Sequence, residues 1–315
     1  MLSYIARRVA ASTLVLFLVS VIVFLMVRAA PGDVILSKIR QRVSPEELEV
    51  LRGRLGLEDP LYQQYWDWLS GILTLDFGNS LYREHESVLG RILDGLPVTV
   101  ELIVIALATS VLIGVPVGII AAVKQNSFVD LVARIFSVTG LALPLFWLGT
   151  LAIVYGTKWF GYTASFVYVP IWEDPVANLK QFWLPGVLLG YNLSSITMRV
   201  VRSSVLGVMR QDFIRTARAK GLAEHIVVGR HVLKNAMIPV MTILGNQIVF
   251  LLGGTLIVEF LFHLPGLGFA AFEAISVRDY TMIQGIVLFL GAMAIAVNLL
   301  VDTTYAWLDP RIKYA

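Results

Sequence analysis

Long apolar runs separated by short polar stretches account for most of the 315-residue sequence. Six of these runs lack Asp, Glu, Lys and Arg over roughly the 20 residues that an α-helix needs to cross a bilayer. They cover residues 9–27, 102–123, 135–157, 181–198, 235–258 and 280–301. The pattern predicts an all-α integral membrane protein with six transmembrane helices.

The composition supports this prediction. Charged residues make up 15% of the chain and hydrophobic residues 57%, with a mean hydropathy of +0.77. Soluble domains carry about 25% charged residues, so the chain is typical of membrane proteins. It contains no cysteine, which excludes disulfides, thiolate-bound zinc and iron–sulfur clusters.

The distribution of Lys and Arg predicts the orientation, because cytoplasmic loops of membrane proteins carry an excess of these residues. With the N-terminus inside, fourteen basic residues fall in cytoplasmic segments and three fall in short outer loops. The inner set is Arg7, Arg8, Lys124, Arg134, Arg199, Arg202, Arg210, Arg215, Arg218, Lys220, Arg230, Lys234, Arg311 and Lys313; the outer set is Lys158, Lys180 and Arg278. Both termini are therefore expected in the cytoplasm.

This topology divides the chain into four parts. Residues 1–30 form a first transmembrane helix, 31–97 a helical extracytoplasmic insertion, 96–305 the membrane core and 306–315 a cytoplasmic tail. Basic residues in the insertion do not contradict the topology, because loops beyond about 60 residues are translocated largely regardless of charge.

The insertion contains signals for two helices. Ser44-Pro45 predicts the start of one helix and Gly56 its end, and Asp59-Pro60 opens a second. The second helix carries four aromatic residues, Tyr62, Tyr65, Trp66 and Trp68. This density is typical of an interfacial or docking surface, and packing against the protein's own outer face explains it equally well.

A polar, basic island at 212–239 interrupts the apolar runs. A short helix carrying Ala217 and Ala219 is expected to end at Gly221, because glycine adopts the left-handed conformation without penalty. A second helical segment is expected at 224–235, and Pro239 follows. The pattern predicts a compact elbow with the small side chains on its outer surface.

This island resembles the EAA loop of bacterial ABC importer permeases. The matching residues are Thr216-Ala217-Arg218-Ala219-Lys220-Gly221, with Ile238-Pro239 downstream; Thr216 stands where the family has Glu. Further motifs resemble the dipeptide, oligopeptide and nickel branch of that family. They are Pro31-Gly32-Asp33, Leu55-Gly56-Leu57, Asp76-Phe77-Gly78-Asn79-Ser80, Pro265-Gly266-Leu267-Gly268, Arg278-Asp279-Tyr280, Asn298-Leu299-Leu300-Val301-Asp302 and Asp309-Pro310-Arg311.

The resemblance implies a type I ABC importer permease fold in the bacterial inner membrane, with this chain forming half of a translocation pore. The implied partners are a homologous second permease, two ATPase subunits that bind ATP and Mg, and an extracytoplasmic binding protein. The implied ATPase-contacting residues are Thr216, Ala217, Arg218, Ala219, Lys220, Gly221 and Leu222. Di- and oligopeptides are the implied substrates, and relatives with the same motifs transport nickel, glutathione or oligosaccharides.

The sequence contains no motif for catalysis, a cofactor or a metal. It has no G-K-[ST] phosphate-binding loop. His85-Glu86 begins like a zinc protease motif, but Leu89 stands in the place of the second histidine. His225 and His231 are too far apart to stack as i, i+4 ligands on one helix face. The chain is therefore expected to hold no catalytic centre or metal and to bind no nucleic acid.

Polar residues inside the spans are candidates for the translocation pathway, since lipid-facing polar groups are unfavourable. The candidates are Asn192 and Ser195, with their neighbours Ser194 and Thr197, in the fourth span, Asn246 and Gln247 in the fifth, and Asn298 in the sixth. Hydrogen bonding between helices is an equally common role for such residues, and both readings stay open.

Two other classes of protein compete with the importer. A proton-coupled carrier would need acids near the middle of the membrane, whereas Glu101, Glu259 and Asp302 lie at the ends of spans. Inverted internal repeats, which many carriers have, are also not evident. A purely structural subunit without a pore would not require the polar positions of the last three spans.

Overall fold

The computed structural model describes residues 2–29, 58–83, 85–162 and 167–308. Within these ranges the chain is helical, and its strand-like pairing is one isolated bridge between Asn79 and Ser87. The helices are α1 Leu2–Ala29, α2 Leu61–Leu73, α3 Val88–Val123, α4 Phe128–Ala142, α5 Leu145–Phe160, α6 Pro175–Met209, α7 Asp212–Ala219, α8 Glu224–Gly254, α9 Leu256–Phe262, α10 Leu267–Val277 and α11 Tyr280–Leu308. The predicted helix at 44–56 and the motifs at 31–33, 55–57 and 309–311 lie outside the described residues.

The prediction of an all-α membrane protein is confirmed. Among the described residues, four helices are long and apolar enough to cross a bilayer, namely Ala6–Ala29, Val88–Val123, Glu224–Gly254 and Tyr280–Val301. Two bent helix pairs, α4 with α5 and α9 with α10, raise the number of candidate spans to as many as six.

The predicted span at 135–157 is wrong as a single helix. α4 ends at Ala142, α5 begins at Leu145, and the two are bent by 101°. The break falls at Leu143, which takes an extended conformation (φ −85°, ψ 128°). A residue before proline is pushed out of the helical region by the proline ring, and Pro144 supplies that ring.

The predicted span at 181–198 lies inside the 35-residue helix α6. This helix is long enough to cross a bilayer, but it is not among the four helices that are both long and apolar enough to do so. Its polar side chains lower its hydropathy, and many of them are buried, including Gln181, Ser194, Ser195 and Thr197. α6 is therefore a central helix whose polar groups face other helices.

The predicted span at 235–258 also differs from the structure. α8 begins at Glu224, so the expected second arm of the elbow is the first part of a long membrane helix. A π-helical turn occupies Val227–Val232, and Leu233 N–H donates to the carbonyl of Val228 there. The helix then breaks at Thr255, and α9 follows as a separate element.

The described residues form two compact units, Met1–Val98 with Pro265–Ala315, and Thr99–Leu264. In the first unit, Asp279 precedes α11 and accepts hydrogen bonds from the hydroxyl of Ser80 and from the backbone N–H groups of Leu81 and Met282. The loop at 76–87 is thereby fixed to the start of α11.

In the second unit, α3 and α6 cross at four glycines, each pair with the spacing of a GxxxG motif. A Cβ on Gly114 would lie 2.8 Å from the Cβ of Thr197, and one on Gly118 would lie 2.8 Å from the Cβ of Val201. Gly186 and Gly190 face α3 in the same way. Such glycines allow membrane helices to approach closely, and they bring the polar residues of α6 against α3.

Candidate coupling surface and the polar contacts behind it

The polar island folds as a short amphipathic helix followed by a tight turn. α7 buries Ile214 completely and Ala217 to 8% exposure. Residues three apart lie on one helix face, so this pair anchors α7 in an apolar core. The other buried members of that core come from α3, α6 and α8: Ala122, Val201, Val205, Val227, Val232, Ala236 and Val240. α7 is therefore packed onto the helices that precede and follow it.

The expectation that both alanines lie on the outer surface is right for Ala219 and wrong for Ala217. Ala217 shares the inward face of Ile214, and its small side chain lets α7 lie close to the core. The same burial excludes its side chain from direct contact with a partner protein.

The predicted glycine turn is confirmed. Gly221 has a φ of +78°, and its N–H donates to the carbonyl of Arg218 at 2.9 Å. Among the described residues, no atom beyond the glycine and its two chain neighbours lies within 4 Å of a Cβ built on Gly221. The requirement for glycine is therefore conformational rather than steric, since L side chains rarely adopt this φ.

An ion pair closes the elbow across this turn. Arg218 donates from Nε and Nη2 to the two carboxylate oxygens of Glu224, at 3.1 and 2.6 Å. This hydrogen bonding raises the pKa of Arg218. Both side chains are partly exposed, so the pair adds little stability, although its two-point geometry links α7 to the start of α8 in a defined direction.

The outward face of the elbow combines basic and apolar groups. Thr216, Ala219, Lys220 and Leu222 are exposed, as the sequence predicts for partner-contacting residues. Phe213 is also exposed, to 42%, and was not singled out from the sequence. Exposed aromatic residues are typical of protein interfaces.

Family models identify the chain. The model described as the binding-protein-dependent transport system inner membrane component matches residues 114–314, and the model for the N-terminal part of that membrane component matches residues 1–103. The chain belongs to this permease family. The elbow lies within the first of these matches, and the permease is an inner-membrane protein with several membrane helices.

Relatives of the permease match it over its whole length. A putative peptide transport system permease of Brucella abortus is 36% identical over 100% of both chains. A dipeptide transport system permease of Alkalihalophilus pseudofirmus is 35% identical and a glutathione transport system permease of Escherichia coli 36% identical, each again over 100% of both chains. The resemblance to the dipeptide, oligopeptide and nickel branch of permeases is thus confirmed.

Solved structures support the fold. A chain of an amino acid ABC transporter with histidines superposes with a TM-score of 0.53 at 18% identity, covering 69% of the permease and 94% of that chain. A chain of an inward-facing methionine ABC transporter gives a TM-score of 0.52 at 15% identity, covering 69% and 96%. The permease therefore shares the fold of ABC transporter membrane subunits over about two thirds of its length.

Among the pathway candidates, Gln247 lies in a buried network of three helices. Its Nε2 donates to the hydroxyl of Thr197 at 3.0 Å and to the carbonyl of Leu193 at 3.2 Å. Its Oε1 accepts from the hydroxyl of Ser110 at 3.2 Å, and that hydroxyl is 2.8 Å from Thr197 Oγ1. The structure thus places Gln247 between α3, α6 and α8.

Two further candidates lie where α6 meets α4. Asn192 Nδ2 donates to the carbonyl of Gly140 at 2.7 Å. The carbonyl of Ser195 accepts from the hydroxyl of Ser137 at 2.8 Å, and both serines are buried. These contacts fit the interhelical reading of the polar positions. Asn246 and Asn298 are both exposed, so a role in the pathway stays a prediction for these residues.

A buried acid that the sequence analysis missed joins α4 to α6. Asp130 is 0% exposed and accepts from Arg202 Nε at 2.7 Å and Nη2 at 2.9 Å. It also accepts from the N–H of Asn126 at 3.0 Å, and Arg134 is 3.5 Å away. The spacing from Ser127 to Asp130 matches a capping box, which marks the start of a helix. This spacing is the feature of the sequence that could have drawn attention to Asp130. Arg202 lies beside Val201, which packs in the core that holds α7.

The acids at the ends of spans are bonded within the permease. Glu259 is fully buried and accepts from the hydroxyl of Thr99 at 2.8 Å. Glu101 accepts a hydrogen bond from the hydroxyl of Tyr168 at 3.1 Å. Burial of the Tyr168 hydroxyl, and secondarily its hydrogen bond to the Glu101 carboxylate, raises the pKa of Tyr168 to about 12. The side chain of Asp302 lies outside the described residues. Nowhere in the described ranges do three His, Cys, Asp or Glu side chains form a group that could hold a metal.

Proposed function

We propose that this permease forms half of the translocation pathway of an ATP-driven importer of peptides. A second, homologous permease would complete the pathway, two ATPase subunits would bind ATP and Mg, and an extracytoplasmic binding protein would deliver the substrate. The names of the full-length relatives, which include peptide and dipeptide permeases, support the substrate class.

One observation carries the coupling role. The elbow at residues 216–222 exposes a basic and apolar surface, while Ile214 and Ala217 anchor its helix in a core shared with α6 and α8. A partner that holds the outer surface can therefore move two membrane helices through one rigid connection. This is the arrangement that a lever between an ATPase and a membrane pathway requires.

The proposed mechanism follows from this packing. Binding of ATP closes the ATPase dimer, and the elbow moves with the groove that holds it. The core around Val205 and Val232 transmits the motion to α6 and α8, and the pathway changes from inward-open to outward-open. The permease is then a two-state element whose equilibrium is set by nucleotide binding on its partners.

The substrate is expected to be a short peptide, and glutathione, itself a tripeptide, remains a specific candidate. The glutathione permease of Escherichia coli is as similar to this chain as the peptide permeases are. The candidate pathway residues Asn192, Ser195, Asn246, Gln247 and Asn298 are all uncharged. An uncharged pathway suits substrates of varied sequence, with selection made by the binding protein.

Native mass spectrometry of the tagged permease, expressed with the products of its neighbouring genes and extracted gently, tests the proposal. The expected result is a five-part particle with one related permease, two ATPases and a binding protein. The mass of a small molecule on the binding protein would then identify the substrate. A lone chain or a homodimer that persists across mild detergents, without nucleotide-binding partners, would contradict the proposal and favour a secondary carrier.

A further inference from the structure

The helix α2 has three distinct faces. Tyr65 and Trp68 pack against α1, with ring centroids 5.3 and 6.0 Å from that of Phe24. A second face is apolar but exposed, with Tyr62 at 76%, Trp66 at 65% and Leu73 at 76%. A third face is polar and exposed and consists of Gln63, Asp67 and Ser70. The helical repeat of 3.6 residues places the exposed apolar stripe between the packed face and the polar stripe.

The contacts with α1 fix the depth of α2. The hydroxyl of Tyr65 is 2.8 Å from that of Ser20, and its ring lies 6.4 Å from that of Phe17. Both partners lie inside the uncharged run at 9–27, in the candidate membrane helix Ala6–Ala29. At about 1.5 Å per residue, Ser20 lies roughly 10 Å below the end of this run. α2 therefore cannot lie wholly in water above the membrane.

The apolar side chains of α1 near this contact are exposed. Leu18, Ile22 and Met26 are exposed to 49%, 53% and 67%, as expected for a helix whose outer faces meet lipid. α2 covers one side of α1 at this level, and its exposed apolar stripe continues the apolar surface of α1 outward. The polar stripe adjoins the apolar stripe on its other side.

We propose that α2 is an interfacial helix that lies in the membrane surface at the face where α1 ends, with Tyr62, Trp66 and Leu73 in contact with phospholipid. Interfacial helices bury an apolar face about 5–10 Å into the boundary between headgroups and acyl chains. Tyr and Trp are enriched at this level because their rings are apolar and their polar groups reach water. The exposed pair Tyr62 and Trp66 meets this requirement.

This assignment changes the prediction for part of the 31–97 insertion. Residues 61–73 belong to the lipid surface, and the exposed stripe of α2 is then no docking site for a soluble binding protein. α2 also serves as an anchor that holds the following loop, from Thr74 to Ser87, at the membrane surface. The inference does not depend on which side of the membrane the N-terminus occupies, nor on the transported substrate.

Spin labelling tests the assignment directly, because the chain has no cysteine of its own. Single cysteines replace Tyr62, Trp66 and Leu73 in the apolar stripe, and Gln63, Asp67 and Ser70 in the polar stripe. Each variant is labelled with a nitroxide in the assembled transporter, with cysteine-free partner subunits, in lipid nanodiscs. Collision rates are measured with oxygen, which concentrates in lipid, and with a water-soluble nickel chelate. Leu18→Cys and Glu58→Cys provide the lipid and water references.

The expected result is a several-fold higher ratio of oxygen to nickel collisions at the apolar stripe than at the polar stripe, with a shallower depth than at Leu18→Cys. Two outcomes would overturn the proposal. High nickel accessibility at Tyr62→Cys and Trp66→Cys would place the stripe in water. Protection from both reagents would show that another protein covers it. All substituted side chains are exposed, so the variants leave the packed face of α2 intact.

Discussion

The guanidinium of Arg202 donates two hydrogen bonds to the carboxylate of Asp130, although the two residues are 72 positions apart in the sequence. The pair joins the first turn of α4 to the last turns of α6, shortly before α7 begins. Its two members differ in exposure, because the side chain of Asp130 is 0% exposed and that of Arg202 is 23% exposed. This asymmetry has a measurable consequence.

Arg202→Gln is expected to destabilise the permease more than Asp130→Asn. The first change leaves a buried carboxylate without its main partner, which costs about 3–5 kcal/mol. The second leaves a guanidinium that can turn towards water, and a lost hydrogen-bond partner costs about 1–3 kcal/mol. Thermal unfolding of the purified permease in one detergent compares the two. Arg134→Gln is the control and should cost less than Arg202→Gln, because Arg134 is half exposed and 3.5 Å from Asp130. Equal losses in Arg202→Gln and Asp130→Asn would refute the asymmetry.

Gly221→Val is expected to leave membrane insertion intact and to abolish ATP-driven uptake. Valine is strongly disfavoured at a φ of +78°, so the turn must change and displace the surface around Lys220 and Leu222. Uptake and ATP hydrolysis are measured together in proteoliposomes. Gly221→Asn is expected to keep much of the uptake, because asparagine tolerates the left-handed conformation.

Gly207→Val is the matched control for this prediction. Gly207 also has open space around it, but it lies inside α6 without a positive φ. Its substitution should therefore leave uptake nearly unchanged. Normal uptake by Gly221→Val, or an equal loss in both variants, would remove the special role of the turn.

The sequence predicts most of the helices because a helix surrounded by lipid needs a long run of apolar residues, and such runs are visible in the sequence. The sequence is less informative where a helix is buried in protein rather than in lipid. The run at 181–198 predicts an ordinary membrane span, whereas the structure shows α6 as a longer helix whose polar side chains are buried against other helices. The inward orientation of Ala217 can be predicted from its spacing to Ile214. The helix break before Pro144 can be predicted from the proline itself. The pairing of Asp130 with Arg202 cannot be predicted in this way, because only the packing of α4 on α6 brings these residues together.

Gln247 and Asn246 are neighbours whose substitution separates a structural role from a role in the pathway. Gln247→Leu leaves the buried polar groups of Ser110, Thr197 and Leu193 with fewer partners, and a loss of about 1–3 kcal/mol is expected. Asn246→Leu alters an exposed side chain and should change stability by less than about 0.5 kcal/mol. Thermal unfolding and uptake are measured for both.

These two variants distinguish the readings through different quantities. If Asn246 lines the pathway, uptake falls in Asn246→Leu while the unfolding midpoint stays constant. If Gln247 acts through packing, its variant loses uptake and stability together. An unchanged unfolding midpoint in Gln247→Leu would contradict the structural role of the network.

Gly140→Ala is expected to disturb the contact between α4 and α6, and Ser195→Ala is expected to relieve the disturbance. A Cβ on Gly140 would overlap the hydroxyl of Ser195 and lie 3.1 Å from its Cβ. Overpacking of this kind costs about 1–3 kcal/mol. In the double variant the overlapping oxygen is gone, so the unfolding midpoint should recover most of the loss. Gly253→Ala, with open space around it, serves as the control and should be neutral or slightly stabilising. If Ser195→Ala adds its own loss to that of Gly140→Ala, the two positions are independent and the close approach of α4 to α6 is not what limits stability there.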